Sequence, residues 1–103
     1  MAHKATTTAT AGIAQAVTVH TPVDLGGPGV FAVQAGVPLG DAMDAMALLL
    51  DAAGDAACEA AIAAGSDNET PGTAWAVRHL LVMARCLNLA IHGGLLAAQK
   101  EAR

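Results

Sequence analysis

Residues 36–65 read GVPLGDAMDAMALLLDAAGDAACEAAIAAG, and this stretch decides the fold. Pro38 opens a helix, because a proline in the first turn lacks only an N–H that the helix leaves unused there. Asp41 and Asp44 follow in the early turns, where the helix dipole favours negative charge. Gly65 supplies a stop. The spacing therefore predicts a helix over about 38–64. At about 100° per residue, Leu39, Met43, Met46, Leu50, Ala53, Ala57, Ala60 and Ala64 alternate by four and three, which makes a heptad seam. Asp41, Asp44, Asp51, Asp55 and Glu59 fall opposite it, within an arc of roughly 80°.

Downstream, Ser66 to Glu69 form a polar loop, and Thr70-Pro71 repeats the start signal of a capping hydroxyl and a first-turn proline. A second helix follows over about 71–99, with Lys100 and Arg103 suited to its C-terminal end. Its seam runs through Ala76, Leu80, Met83, Leu87, Ala90, Gly94 and Ala97. Gly93-Gly94 costs that helix about 2 kcal/mol relative to two alanines and marks a point of bending or fraying. Two long helices and a short loop make an antiparallel hairpin. In that pairing Leu80 and Met83 face alanines of the first helix, and unequal side chains interdigitate.

Upstream, Val17-Thr18-Val19 and Val30-Phe31-Ala32-Val33 are β-prone runs separated by Pro22, Gly26, Gly27, Pro28 and Gly29. Residues 16–37 thus form an extended segment. Residues 1–15, small and polar around Thr6, Thr7, Thr8 and Thr10, read as a flexible arm. The whole is an all-α chain: a helical hairpin at 38–103 behind a short extended segment.

Apolar residues outside the seams decide the assembly. Val82, Leu89 and Leu96 form a second stripe of spacing seven, and Leu49, Val77, Ile91 and Leu95 flank the main seam. A lone hairpin cannot cover that much surface. Two copies forming a four-helix bundle with two-fold symmetry can. Leu39, Met43, Met46, Leu50, Leu80, Met83 and Leu87 are the expected core or oligomer seam. Charge is divided too: residues 38–65 carry five acids and no base, and residues 71–103 carry four bases and one acid. With a turn near residue 68, Asp51 lies level with Arg85, Asp44 with His92 and Glu59 with Arg78. Both charged stripes lie opposite the seams and face water.

The composition narrows the function. The chain has 103 residues and a net charge of −4; 54% of its residues are apolar and about a quarter are alanine. It makes one domain at the small end of what a single core supports. An acidic chain without a basic cluster is not a nucleic-acid binder. Threonines interrupt any N-terminal apolar run, so no secretory signal is expected. Leu80 to Ala98 is the most membrane-like window, but Arg85, Asn88 and His92 lie inside it, and a central Arg costs about 2.5–3.5 kcal/mol. The expectation is a cytoplasmic protein with no membrane and no nucleic acid among its partners.

Candidate chemistry is sparse. His79 and Cys86 share a helical face but lie seven residues, or about 10 Å, apart, too far for one metal ion. His92 points away from His79, and Cys58 and Cys86 sit at different levels of the hairpin, so both read as buried, inert thiols. His79 reads as a core-edge residue with a satisfied hydrogen bond. Ser66 has no neighbouring histidine to activate it. Gly26-Gly27-Pro28-Gly29 lacks the lysine and helix start of a phosphate loop. Neither enzyme nor cofactor is expected.

Val30 to Leu39, followed by Asp41-Ala42-Met43 and Leu48-Leu49-Leu50, and Ala74-Trp75-Ala76 followed by Leu80, Met83-Ala84 and Leu87, together carry a resemblance. The pattern F-x-V, G-V-P-L, L-L-L, A-W-A and L-x-x-M-A is similar to an uncharacterised family of small proteobacterial helical proteins. Members often show serine or threonine where this chain has Pro38, and tyrosine where it has His79. The resemblance covers Val30 to Leu87. It implies the helical architecture and carries no activity with it.

Three functions fit. The first is a homodimeric, non-enzymatic interaction or regulatory module for an unidentified protein partner. The second is an apolar-ligand-binding bundle with Met43, Met46, Met83 and Trp75 around a cavity. The third is an acidic inhibitor of a basic partner, of the antitoxin or immunity type. A cavity above roughly 300 Å³ favours the second, and a solid core with an apolar surface patch favours the first.

Overall fold

A computed structural model describes residues 15–27, 29–64 and 71–101. The chain is mostly helical, with two helices and a small two-stranded sheet: β1 (Thr21–Val23), β2 (Phe31–Val33), α1 (Leu39–Ala64) and α2 (Pro71–Glu101). The N-terminal arm, apart from Gln15, and the loop with its Gly65 stop and Thr70 cap lie outside the described residues. The radius of gyration is 18.2 Å, against about 13 Å for a compact domain of this size. Helices of 26 and 31 residues, about 39 and 46 Å long, account for the elongation.

α1 starts where the first-turn signals place it. The Pro38 carbonyl accepts the Ala42 N–H at 3.0 Å, and the otherwise orphaned Leu39 N–H donates to the Ala16 carbonyl at 3.3 Å. Asp41 lies in the first turn of α1 and Lys100 in the last turn of α2, each favoured by the helix dipole. The hairpin is antiparallel: Leu39, at the start of α1, packs beside Gly94, near the end of α2.

The seam inside the hairpin follows the small residues. On α1 the buried and half-buried positions recur at 42, 46, 49, 53, 56, 60 and 63, and on α2 at 77, 80, 84, 87, 91, 94 and 98. Both are heptad series, but the alternate positions differ from the expected ones by one residue, later on α2, where Ala84 replaces Met83 and Ala98 replaces Ala97, and earlier on α1. Ala42 replaces Met43, and Leu49 replaces Leu50. Alanines at the contact let the helix axes approach closely, and this turns the bulky neighbours outward. The core is accordingly built of Ala42, Ala53, Ala84, Ala90 and Ala98 with Val23 and Ile91.

The extended segment folds back on itself and onto α2. β1 and β2 pair antiparallel, with Thr21 opposite Val33, Pro22 opposite Ala32 and Val23 opposite Phe31. The first strand lies beyond the Val17-Val19 run, where only Val17 makes a bridge, to Pro38. Between the two pairings sits a bulge. Gly36 donates its N–H to the Thr18 carbonyl at 3.0 Å, and Thr18 donates to the Val37 carbonyl at 2.8 Å. Two residues thus oppose one, with Gly36 at φ 86°, the left-handed conformation that this bulge requires. Thr18, 2% exposed, locks the bulge: its hydroxyl donates to the Gln34 carbonyl at 2.6 Å and accepts the Val37 N–H at 3.1 Å.

The segment is seated on α2 through Cys86, Ala90 and the glycine pair. Val19 N–H donates to the Ala90 carbonyl at 3.3 Å, and Cys86 Sγ lies 3.5 Å from the Pro22 carbonyl. A β-carbon at Gly94 would collide with the Val17 carbonyl oxygen, and one at Gly93 would lie 2.6 Å from Val19 Cγ2. Gly93-Gly94 is therefore a docking seat for backbone, and the helix continues through it to Glu101 without fraying.

Candidate functional surfaces

The ribbon and hairpin enclose a half-open apolar groove of about 320 Å³. Leu49 of α1 and Met83 and Leu87 of α2 form its floor; Val23, Leu25, Phe31, Ala32 and Val33 come from the ribbon side. Among the described residues no titratable group lines it. Of Met43, Met46, Met83 and Trp75, only Met83 contributes, so these four do not surround a common cavity. Phe31 and Leu49 sit here because the ribbon folds onto helices distant in sequence. The apolar run at Val30 to Val33 was the only local sign of it.

A second surface lies on the outside of α1. Positions 43, 47, 50, 54, 57, 61 and 64 are all exposed and read Met, Ala, Leu, Gly, Ala, Ala, Ala. The steps alternate four and three, so this is another complete heptad seam, next to the buried one and without a polar member. Met43 is 53% and Leu50 48% exposed. A β-carbon on Gly54 would meet nothing within 4 Å. Leu39 and Met46 are half-buried at the boundary between the two seams.

The third surface runs along α2. Val82 is half-buried, and Leu89 and Leu96 are exposed. Trp75, seven residues before Val82, extends this stripe to the start of the helix, a connection the sequence reading missed. The exposed indole stacks at 43° to His79, ring centroids 5.8 Å apart, and Arg78 lies 5.9 Å from its centre. His79 is thus a partner of Trp75 at the helix surface. Beside the stripe, Ala74, Val77, Leu81 and Val82 with Arg78 and Arg85 line an open trough of about 480 Å³. Leu80 and Leu87 are half-buried toward α1, and Met83 is partly exposed toward the groove.

Reactive groups stay apart. Cys86 is buried, but Cys58 is exposed, which corrects the expectation of two buried thiols: Cys58 lies on the exposed outer side of α1, among neighbours that are exposed as well. Among the described residues no three of His, Cys, Asp and Glu converge on a metal position. Among them, too, no α1 carboxylate forms an ion pair with an α2 base. Gly72–Glu101 is long and apolar enough to cross a membrane, with a mean hydropathy of 1.6 over its most apolar window. Comparison with protein-family models, curated proteins and solved structures finds no match to this chain.

Proposed function

We propose that the chain is a non-enzymatic, self-associating helical adaptor. Two hairpins pair along the outer seam of α1 into a four-helix bundle, and the α2 stripe from Trp75 to Leu96 then offers a surface to another protein. The outer α1 seam carries this reading. Seven consecutive heptad positions without a polar side chain form the signature of a helix–helix contact, and within one chain all seven face water. Among the described residues the fully buried side chain of greatest volume is a threonine, so a single copy hides little of its apolar surface. Exposed patches of this extent mark interaction sites.

The α2 surface suits a partner with acidic and apolar character, since Arg78 and Arg85 border Val82. The groove supports a second reading, a site for a small aliphatic or aromatic ligand: its volume of about 320 Å³ lies at the lower end of the usual range for ligand pockets. Sedimentation velocity without detergent tests the adaptor reading. A particle of two chains, each 10.2 kDa, at micromolar concentration is the expected result. A folded single chain would overturn it, as would recovery only with lipid vesicles, given the apolar length of α2.

A further inference from the structure

The ribbon has one guarded edge and one open edge. β1 lies against α2, where Cys86 engages the Pro22 carbonyl and Val19 bonds to Ala90. Pro22 has no N–H, so Pro22 opposite Ala32 is the non-hydrogen-bonded pair of the ladder, and the main-chain groups of both residues point away from each other's strand. On β1 that direction leads to α2. On β2 it leaves the Ala32 N–H and C=O facing outward, and no hydrogen bond to a described residue takes them up.

Proteins usually shield such an edge with charge, proline or a bulge. β1 has Pro22, whereas Val30 to Gln34 contain neither a charge nor a proline. Val30 and Phe31 are 73% and 62% exposed. A ribbon of two three-residue strands is also below the size that stands alone in water. The edge is short and uncharged and offers one donor and one acceptor at Ala32, so it is complementary to itself, which an isologous contact requires.

We infer that β2 adds to β2 of a second copy, antiparallel about a two-fold axis through Ala32, to make a four-stranded sheet. The register follows from the main chain. Ala32 exchanges both hydrogen bonds with its counterpart, and Phe31 then stands opposite Val33 of the other copy, on one face of the sheet. The inference rests on the self-association proposed above and names a main-chain contact separate from the α1 seam.

Sedimentation of the full chain and of Ala32→Pro tests it. The substitution removes an outward N–H that the ribbon's own ladder does not use, and proline is tolerated on edge strands. Wild-type chain is expected to sediment as two copies. Ala32→Pro, with unchanged helical circular dichroism, is expected to sediment as one, its dissociation constant raised at least tenfold. A folded variant that dimerises like wild type overturns the edge contact and leaves the helix seam standing. A wild-type monomer overturns both. Should Ala32→Pro lose helicity, Phe31→Lys decides. It sets two like charges near the axis without altering the backbone, and an unchanged dimer again overturns the inference.

Discussion

The carbonyl oxygen of Val17 fills the space beside Gly94 that a β-carbon there would need. This contact joins the two halves of the fold. It holds the extended segment against α2, with Val19 bonded to Ala90 and Leu39 to Ala16 on either side.

Gly94→Ala should therefore destabilise the chain although alanine favours helix by about 1 kcal/mol. The obstacle is backbone, which cannot rotate aside, and overpacking of this kind costs about 1–3 kcal/mol. Gly40→Ala, with open space at its β-carbon, should be neutral or stabilising by up to about 1 kcal/mol. Urea titration followed by circular dichroism checks both. Equal effects at the two positions would remove the seat from the account of the fold.

The bulge makes its own prediction. Thr18→Val keeps the shape but leaves the Gln34 carbonyl without its 2.6 Å donor and deprives Val37 N–H of a 3.1 Å acceptor. Unsatisfied groups at a buried site cost about 1–3 kcal/mol. Gly36→Ala should cost about 1–2 kcal/mol through its positive φ alone, because nothing crowds the position. A combined loss smaller than the sum in a double-mutant cycle would show that the two act on one device.

The helices were legible because their signals are local: Pro38, the early aspartates, Pro71 and an apolar period. The seam was displaced on both helices because size, taken as a guide to burial, selects Met43 and Leu50 on α1 and Met83 on α2. Close packing instead selected Ala42 and left the large side chains outside. Gly93-Gly94 looked like a defect because its reason, the backbone of Val17, lies more than seventy residues away in sequence. Pro22 argued against a strand at its position, yet it sits in one, with its carbonyl turned toward Cys86. Contacts of this range leave no periodic trace.

Gly54 separates the chain from its assembly. Alone, Gly54→Ala should strengthen α1 by about 1 kcal/mol. In the proposed pair, a methyl group at the middle of the outer seam hinders close approach of a second α1, so self-association should weaken while the thermal midpoint at low concentration rises. Met43→Lys with Leu50→Lys should abolish association, since each buried leucine or methionine contributes about 1.5–3 kcal/mol. Analytical ultracentrifugation against concentration reads both effects. A Gly54→Ala chain that gained stability and affinity together would place the contact elsewhere.

Trp75 is the sole tryptophan and reports which stripe the second copy covers. It heads the α2 row, is 57% exposed and lies beneath Arg78. If copies join through α1 and the β2 edge, dilution through the dissociation constant should leave its emission maximum and acrylamide quenching unchanged. The row from Trp75 to Leu96 would then remain free in the dimer for another protein, whose binding should shift emission to the blue and protect the indole. If α2 forms the self-contact instead, the blue shift should accompany dimerisation itself and vanish in Leu89→Lys with Leu96→Lys. One fluorescence titration alongside sedimentation thus distinguishes an adaptor that keeps its α2 surface open from a dimer that spends it on itself.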